Sequence, residues 1–153
     1  KVQKLINKQE YKLSFNENFE ELLEKIQLFH DNCWLTNKYL NLIKKLKNYH
    51  HKDNSFKLVA TELTCIHTNN LIAGELGYTI GKTYTSLTGF SNRDKRYNNW
   101  GTLQLVLLAL HLQKNHFSFW NLGHASMDYK SKLGAKVYSR ENFLIRWLEK
   151  TRI

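Results

Sequence analysis

The chain has 153 residues, of which 42% are hydrophobic and 13% aromatic; this composition excludes a disordered segment and fits one globular domain. Its 23 Lys and Arg residues outnumber 13 Asp and Glu residues, which gives a formal net charge of +10. So basic a domain typically faces a polyanion, such as nucleic acid, a membrane surface or an acidic protein. A lysine-rich proteome produces the same charge without such a partner.

Cysteine content and apolar runs narrow the class of protein further. Cys33 and Cys65 lie far apart and lack CxxC spacing, which argues against a disulfide scaffold and a zinc ribbon and favours a reducing compartment. The first ten residues lack the apolar core of a signal peptide. The longest apolar run, Leu103–Leu112, is too short to cross a bilayer. We therefore expect a cytoplasmic protein with no membrane partner.

The first third of the chain predicts one strand and two helices. Apolar residues after Asn16 recur at helical spacing as far as Phe29, and asparagine is a favoured helix N-cap. The predicted elements are a strand at Tyr11–Ser14, a helix from Asn16 to Phe29, and a second helix beginning at Thr36 or Asn37. The polar loop Asn48–Asn54 follows. It contains His50 and His51, which we expect to be solvated, so we predict no metal site.

Glycines and β-branched residues dominate the middle of the chain and predict a meander of strands. The Asn69-Asn70 and Gly81-Lys82 pairs suit tight turns between them. The predicted strands are Phe56–His67, Leu71–Ile80 and Thr83–Phe90. A charged loop leads from Ser91 into a buried helix at Thr102–Asn115. A glycine-bordered strand pair that leads into a helix presents backbone N–H groups to an anionic or acyl ligand.

The last third predicts two more strands and two helices. We expect Phe117–Leu122 as a buried central strand, Ala125–Leu133 as a short helix and Ala135–Tyr138 as a strand. Arg140–Lys150 reads as an amphipathic helix whose inward side chains are Phe143, Leu144, Trp147 and Leu148. The element order predicts an α/β fold of the α+β type, with helices packed on a mixed, mostly antiparallel sheet. We expect residues 1–153 to form a single domain.

Most catalytic signatures are missing from the sequence. It contains no GxSxG nucleophile elbow and no HExxH zinc motif. Gly77 and Gly81 do not form a dinucleotide fingerprint. Arg96–Thr102 partly matches the R-x-x-G-x-G/A loop that cradles pyrophosphate in acetyl-CoA-dependent acetyltransferases, with Asn99 in place of one glycine. A loop that simply caps the following helix is the alternative interpretation.

Several segments, taken together, resemble one family. Gly74–Ser91 (GELGYTIGKTYTSLTGFS) resembles the GGLYGVxxG and GESMFS segments of the leucyl/phenylalanyl-tRNA–protein transferases. Lys132–Leu144 (KLGAKVYSRENFL) is similar to that family's SLGAxxIxRxxF ending. Upstream, Tyr11–Leu23 and Asn32–Leu46 are similar to its YxVxFDxxFEEVI and TWI…AYxxLH segments. The similarity runs in order from about Leu5 to Trp147, with the family's small N-terminal domain apparently absent.

The resemblance implies an acetyltransferase-like (GNAT-type) fold, with helices on both faces of a mostly antiparallel sheet, that works without coenzyme A. It also implies an aminoacyl-tRNA donor, whose leucine or phenylalanine is transferred to the N-terminal α-amine of a protein to create a degradation signal. Because the donor ester is already activated, the enzyme needs no cofactor, and its task is positioning and stabilising the oxyanion. We expect aminoacyl-tRNA and an acceptor protein or peptide as partners, and a monomer.

The sequence departs from the family at its best-defined motifs. The family's DCQ motif falls on Asn121-Leu122-Gly123, its second acid falls near Ser86-Leu87, and a histidine falls on Tyr129. A site that loses anionic groups should no longer prefer a cationic acceptor. Leu122–His124 and Met127–Lys130 are also similar to the LGY…MxYK pattern of arginyl-tRNA–protein transferases, so arginine is an alternative donor and an acidic N-terminus an alternative acceptor.

These similarities and the residue chemistry define a set of predicted site residues. The predicted catalytic residues are Asn121 and His124. The predicted substrate-binding residues are Trp34, Tyr84, Thr88, Phe90, Trp120, Gly123, Tyr129 and Lys130. The predicted tRNA-binding residues are Lys44, Lys45, Lys47, Arg93, Lys95 and Arg96. Core aromatics and solvated lysines are the alternative roles for these side chains.

Two other functions stay open at this stage. A non-catalytic module that binds tRNA or N-terminal degradation signals on the same fold fits the loss of the family's Asp and Gln. An acetyl-CoA-dependent N-acetyltransferase fits the Arg96–Thr102 loop. Neither the transferred amino acid nor the acceptor N-terminus follows from the sequence.

Overall fold

The computed structural model describes residues 1–31, 33–49 and 55–151, and His50 and His51 lie outside the described residues. Within these ranges the chain forms one five-stranded sheet, six α-helices and a 3₁₀ turn at Lys95–Tyr97. The strands are β1 (Tyr11–Phe15), β2 (Phe56–Cys65), β3 (Leu71–Ile80), β4 (Thr83–Ser91) and β5 (Phe119–Asn121). The helices are α1 (Val2–Lys8), α2 (Phe19–Phe29), α3 (Asn37–Lys47), α4 (Trp100–Lys114), α5 (Asp128–Lys132) and α6 (Arg140–Thr151).

The sheet is mostly antiparallel. Strands β1 to β4 pair in sequence order with antiparallel neighbours, and only β5 is parallel to its neighbour β4. Ile80 pairs with Thr83 across a two-residue turn, and Gly81 has a φ of 56° there, which glycine adopts at little cost. The predicted β3–β4 hairpin is therefore confirmed.

Helices cover both faces of the sheet, because the side chains that alternate along β2 pack against different helices. Leu58 and Ala60 belong to the apolar cluster that includes the buried side of α2. Val59 and Leu63 instead belong to the clusters that contain the buried side chains of α4. The N-terminal helix α1, which the sequence did not predict, packs against α4. The predicted fold class, an α/β mixed sheet with helices on both faces, is confirmed.

A buried carboxylate joins the start of α2 to the sheet. Glu62 of β2 is fully buried and accepts a hydrogen bond of 2.9 Å from the Ser14 hydroxyl. It also accepts the backbone N–H groups of Glu17 and Asn18, at 3.2 and 2.9 Å. These N–H groups lie where a helix begins and lacks internal acceptors, so Glu62 satisfies donors that packing alone would leave unpaired.

The C-terminal third differs most from the sequence-based expectation. Phe117–Leu122 was expected to be a buried central strand, but only Phe119–Asn121 is a strand; it is half-buried and lies at one end of the described sheet. Ala135–Tyr138 is not a strand. Its Val137 is 79% exposed and the rest of the segment is exposed as well, so its strand-like residue pattern is not matched by any burial against the sheet.

Helix α6 buries a narrower stripe than predicted. Phe143 packs edge-on against Phe119 with ring centroids 5.5 Å apart, and Trp147 is half-buried beside it. Leu144 and Leu148, also expected to point inward, are 37% and 48% exposed. Helix α6 contacts only the β4–β5 end of the described sheet, so only one edge of its apolar face is covered.

Candidate functional site

A cavity opens where β4 and β5 separate. Strand β5 pairs with β4 only at Thr83–Thr85, and no described strand pairs with Ser86–Ser91 on that side. The cavity beside this free edge has a volume of about 710 Å³. The start of α4 forms its second wall, and the segment from Leu122 through α5 forms its third.

A buried carboxyl lies on the floor of this cavity. Glu75 of β3 is 5% exposed, and its Oε1 accepts hydrogen bonds from the Tyr84 and Ser86 hydroxyls, both at 2.8 Å. The indole N–H of Trp120 donates in turn to the Ser86 oxygen at 2.9 Å. Burial raises the pKa of Glu75 to about 6, even though hydrogen bonds from Ser86 and Tyr84 and the nearby amide of Gln104 act in the opposite direction.

Close packing at one glycine allows this arrangement. A Cβ on Gly77 would lie 2.4 Å from the Tyr84 hydroxyl oxygen and 2.6 Å from its ring carbon Cζ, well inside van der Waals contact. The absent side chain therefore gives the Tyr84 ring the space in which its hydroxyl reaches Glu75. Burial, and next the negative charge on Glu75, raise the pKa of Tyr84, so the tyrosine is a neutral donor.

A second buried polar group from α4 faces the same cavity. Gln104 lines the cavity and is 3% exposed. Its amide nitrogen is buried without a hydrogen-bond partner among the described residues. The amide is nevertheless near enough to Glu75 to lower the pKa of that carboxyl. An unpaired buried donor costs free energy, and a bound acceptor atom would remove that cost.

The first turn of α4 also borders the cavity. Asn99, the residue before the helix, has a left-handed backbone with a φ of 70°, and asparagine is among the few side chains that tolerate this conformation. Asn98, Gly101 and Thr102 line the cavity beside it. Unpaired N–H groups at a helix start favour a negatively charged or carbonyl oxygen nearby.

Three cationic side chains line the cavity, and two of them, Lys130 and Lys132, lie on α5. The Arg93 guanidinium donates to the Phe29 carbonyl at 3.2 Å, while Lys132 is exposed. Lys130 is buried and its Nζ donates to the carbonyl oxygen of His124. Burial lowers the pKa of Lys130. The cavity therefore combines a buried acid with a basic rim.

A second cavity, of about 730 Å³, lies near the C-terminal half of α4. Phe15, Val59, Leu108 and Leu112 give it a mainly apolar lining, and no described Asp or Glu lines it. Its titratable side chains are Lys57, Lys82, Tyr84 and His111, so it contains a histidine but lacks a carboxylate that would pair with a cationic α-ammonium group. The cavity beside β4 is therefore the candidate functional site.

Comparison with known proteins identifies the family. The sequence model of the leucyl/phenylalanyl-tRNA protein transferase family matches residues 1–147. The chain belongs to this family. A leucyl/phenylalanyl-tRNA–protein transferase from Flavobacterium johnsoniae is 22% identical over 147 residues, a match that covers 94% of this chain and 63% of that relative. The transferase-family resemblance inferred from sequence is thus confirmed, while the chain spans less than two thirds of this curated relative.

Solved structures confirm the acetyltransferase-like fold of this family member. An aminoglycoside acetyltransferase from an uncultured soil metagenomic sample superposes with a TM-score of 0.57 at 11% identity, covering 85% of this chain and 92% of that one. A glucosamine-6-phosphate N-acetyltransferase from Arabidopsis thaliana gives a TM-score of 0.56 at 12% identity, covering 84% and 93%. At such low identity these likenesses establish the fold alone.

Some site residues predicted for this transferase-family chain do meet at the cavity. Its lining includes Thr88, Phe90, Tyr129, Lys130 and Arg93. Tyr84 and Trp120 are outside this lining, but Tyr84 donates a hydrogen bond to Glu75 and Trp120 donates one to Ser86. The sequence-based predictions therefore include residues on one side of the cavity and two residues that hydrogen-bond to Glu75 and Ser86.

The predicted catalytic pair lies beside the cavity rather than in its lining. The Asn121 side chain accepts the backbone N–H of Gly123 at 2.9 Å, and the His124 ring bonds Ser126 through Nδ1 at 2.9 Å. Both interactions shape the exposed turn after β5. The structure gives them this local role, and their catalytic roles stay predictions. Trp34 packs against Tyr39 in the α2–α3 connection, and it too is outside the lining.

The predicted tRNA-binding residues divide into two groups. Lys44, Lys45 and Lys47 are exposed on α3, where Lys44 pairs with Glu20 at 2.9 Å and Lys47 lies over the Phe19 ring. Arg93, Lys95 and Arg96 flank the start of α4. There Arg96 donates to Asp94 at 2.7 Å, and hydrogen bonds from Arg96 lower the pKa of Asp94 to about 2.

Sequence reasoning missed Glu75, Gln104 and Lys132 as cavity residues. For Glu75 a signal existed, because it is the only charged residue in the strand sequence LIAGELGYTI, and a buried strand seldom keeps a charge without a purpose.

The described residues contain no group of three or more His, Cys, Asp or Glu side chains that suits a metal ion. No helix among them is long and apolar enough to span a membrane.

Proposed function

We propose that this chain carries the transferase centre of an aminoacyl-tRNA–protein transferase. It moves leucine or phenylalanine, with arginine as the alternative, from charged tRNA to the N-terminal α-amine of a protein and so creates a degradation signal. The observation that carries the proposal is the cavity beside the free edge of β4, floored by the buried Glu75 carboxyl, in a chain that belongs to this transferase family.

The chemistry asks little of the protein beyond positioning. The uncharged α-amine of the acceptor attacks the ester carbonyl of the aminoacyl-tRNA, a C–N bond forms, and the ester C–O bond breaks. The amine loses a proton, and the departing ribose oxygen gains one. Backbone N–H groups along the free edge of β4 suit stabilisation of the oxyanion formed in between. Because the ester is already activated, we propose that no cofactor takes part.

The basic rim supports an RNA substrate. Contacts to an RNA stem are made mainly with phosphates and with the minor groove, and Arg93 and Lys132 border the cavity into which the aminoacyl end would enter. Lys95 and Arg96 extend the same basic surface beside the start of α4. The lysines on α3 form a separate basic surface, defined by Lys44, Lys45 and Lys47.

A paired charge-removal experiment distinguishes these two surfaces. The double variant Arg93→Gln/Lys132→Gln should weaken tRNA binding and reduce the salt dependence of log K by about 2. The matched double variant Lys44→Gln/Lys45→Gln removes the same charge from α3 and should leave the slope unchanged. Filter binding or fluorescence anisotropy at several salt concentrations gives both slopes. A reduced salt slope in the α3 variant alone would show that the tRNA binds the α3 surface instead.

A donor-by-acceptor matrix tests the proposed function itself. The full-length protein is incubated with leucyl-, phenylalanyl- or arginyl-tRNA and with peptides that begin with basic, acidic or apolar residues. We expect one donor to extend at least one class of peptide by one residue, which mass spectrometry detects. No extended peptide with any donor would contradict the proposal.

A non-catalytic binding module is the first alternative. It is favoured by Asn121 and Gly123 at the positions where the family's Asp and Gln are expected. It predicts affinity for tRNA or peptide without any extended product, so the same matrix, combined with binding measurements, separates it from the transferase.

An acetyl-CoA-dependent N-acetyltransferase is the second alternative. The left-handed backbone of Asn99 supplies the turn that a glycine supplies in the R-x-x-G-x-G/A loop, which favours this reading. Calorimetric binding of acetyl-CoA, together with acetylation of a peptide amine, would support it, whereas the transferase predicts neither.

We further propose that the protein acts as a monomer in the cytoplasm, which gel filtration and fractionation test.

A further inference from the structure

The polar groups on the cavity floor leave two hydrogen-bonding positions unused. Oε1 of Glu75 accepts both the Tyr84 and the Ser86 hydroxyls, while no described residue donates to Oε2. The Gln104 amide nitrogen, also in the lining, is buried without a partner in hydrogen-bond geometry, beside the Glu75 carboxyl whose pKa the amide lowers. One position therefore calls for a donor, preferably a charged one, and the other for an oxygen acceptor.

A primary α-ammonium group followed by a carbonyl has this combination of groups. We propose that Glu75 and Gln104 form the subsite for such a group, in which the Glu75 carboxylate accepts an α-ammonium N–H and the Gln104 amide donates to the adjacent carbonyl oxygen. Two parts of the substrates have this chemistry: the N-terminus of the acceptor peptide and the aminoacyl group of the donor. The inference rests on the proposed function only because that function supplies these two possible ligands.

The surroundings of Glu75 suit a role in binding rather than in structure alone. Its two donors, Tyr84 and Ser86, are both on β4 and fix the carboxyl from one side. Tyr129 of α5 lies near enough for the Glu75 charge to raise its pKa, after the larger effect of burial. The other titratable or charged side chains in the cavity are His30, Arg93, Lys130 and Lys132. No cation pairs with Glu75 among the described residues, so an incoming ammonium has no internal competitor.

The position of this acid explains how the chain manages without the family's acid on β4. That acid falls near Ser86-Leu87 by resemblance, and Ser86 is the residue that donates to Glu75. In the sheet, Glu75 pairs with Gly89, and Ser86 pairs with Gly77 after a bulge between Leu76 and Gly77. A carboxyl on β3 thus reaches the space beside β4.

The test compares ligands that differ only in the α-amine. Two hexapeptides, one beginning with Arg and one with Asp, and the amide-linked analogue of phenylalanyl-adenosine are each titrated into the full chain beside their N-acetylated forms. At pH 7.5 the free amine should bind about tenfold more tightly than its acetylated form in at least one pair. The variant Glu75→Gln should lose this preference, and Gln104→Ala should weaken binding. Glu24→Gln, which makes the same change at an exposed position on α2, should keep the preference.

A pH series supplies a readout that a purely structural role would not move. The amine preference of the wild type should fall between pH 7.5 and 5, because the carboxyl gains a proton near its pKa of about 6. Histidine changes charge in the same range, so the series is repeated with His30→Gln, in which the fall should persist. In Glu75→Gln the free and the acetylated forms should bind equally throughout this range.

The outcomes separate this inference from the proposed function. A preference confined to the peptides assigns the subsite to the acceptor, and one confined to the adenosine analogue assigns it to the donor; both support the inference. Equal binding of free and acetylated forms, binding by no free amine, or a preference that survives in Glu75→Gln overturns it. An amine preference in a protein that never extends a peptide leaves the subsite standing and defeats the transferase proposal.

Discussion

Replacing Glu62 with alanine should lower the free energy of unfolding by about 3 kcal/mol. The carboxylate is fully buried and accepts hydrogen bonds from Ser14 and from the N–H groups of Glu17 and Asn18. Its removal leaves these donors without their acceptor where β1 leads into α2, and water reaches them only if the local structure opens. Urea unfolding of the wild type and the variant measures the difference.

Two further variants test the reason for this loss. Ser14→Ala removes one of the three hydrogen bonds and should cost about 1 kcal/mol. Glu24→Ala removes an exposed carboxylate from α2 and should change stability by no more than about 0.5 kcal/mol. A Glu62→Ala variant as stable as Glu24→Ala would show that these hydrogen bonds do not hold β1 and α2 together.

The stability of the wild type relative to Glu75→Gln should fall by about 2 kcal/mol between pH 4 and pH 7.5. Burial raises the pKa of Glu75 from 4.5 to about 6 in the folded chain. Below pH 4.5 the carboxyl is neutral in both states, so its folded form bears no charge penalty. As the pH rises through 6, the unfolded chain has already lost the proton while the folded chain must give it up in a buried site. Stability is therefore lost on the alkaline side.

The glutamine variant has no proton to lose at this position, so the difference in free energy of unfolding between the wild type and the variant isolates the contribution of Glu75. Urea midpoints measured at half-unit steps of pH give both curves, and Glu24→Gln should follow the wild type. Parallel curves for the wild type and Glu75→Gln would mean that the carboxyl is solvated in the folded chain. The expected curve describes an acid kept for function at a cost in stability.

Local patterns were enough to predict the elements that depend on neighbouring residues in the chain. The β3–β4 hairpin follows from alternation around Gly81, and α2 follows from the helical spacing up to Phe29. The expected start at Asn16 was wrong, because α2 begins at Phe19 after Asn18 and the Asn16 side chain accepts the backbone N–H of Ala60 instead. Ala135–Tyr138 has the same alternation but pairs with none of the described strands. Partners that are distant in sequence decide such cases.

The candidate site was only partly predictable for the same reason. Three of the predicted substrate-binding residues, Thr88, Phe90 and Tyr129, lie together in the lining of one cavity. The sequence also directed attention to Asn121 and His124, which the fold uses in a surface turn. Glu75 was overlooked because its environment comes from cross-strand register, from the bulge after Leu76 and from the Tyr84 ring lying over Gly77. None of these relations is visible in a single stretch of sequence.

Blocking the cavity tests most directly whether it is where the acceptor amine meets the aminoacyl ester. Leu87 lines the cavity and is 41% exposed, so Leu87→Trp fills space without disturbing the core. Leu28→Trp, at a 74% exposed position on α2, is the matched control. The initial rate of peptide extension from the best donor tRNA should fall at least about tenfold in Leu87→Trp and stay at the wild-type level in Leu28→Trp, with tRNA binding retained in both. Equal extension rates in the two variants would contradict the assignment of the reaction to this cavity.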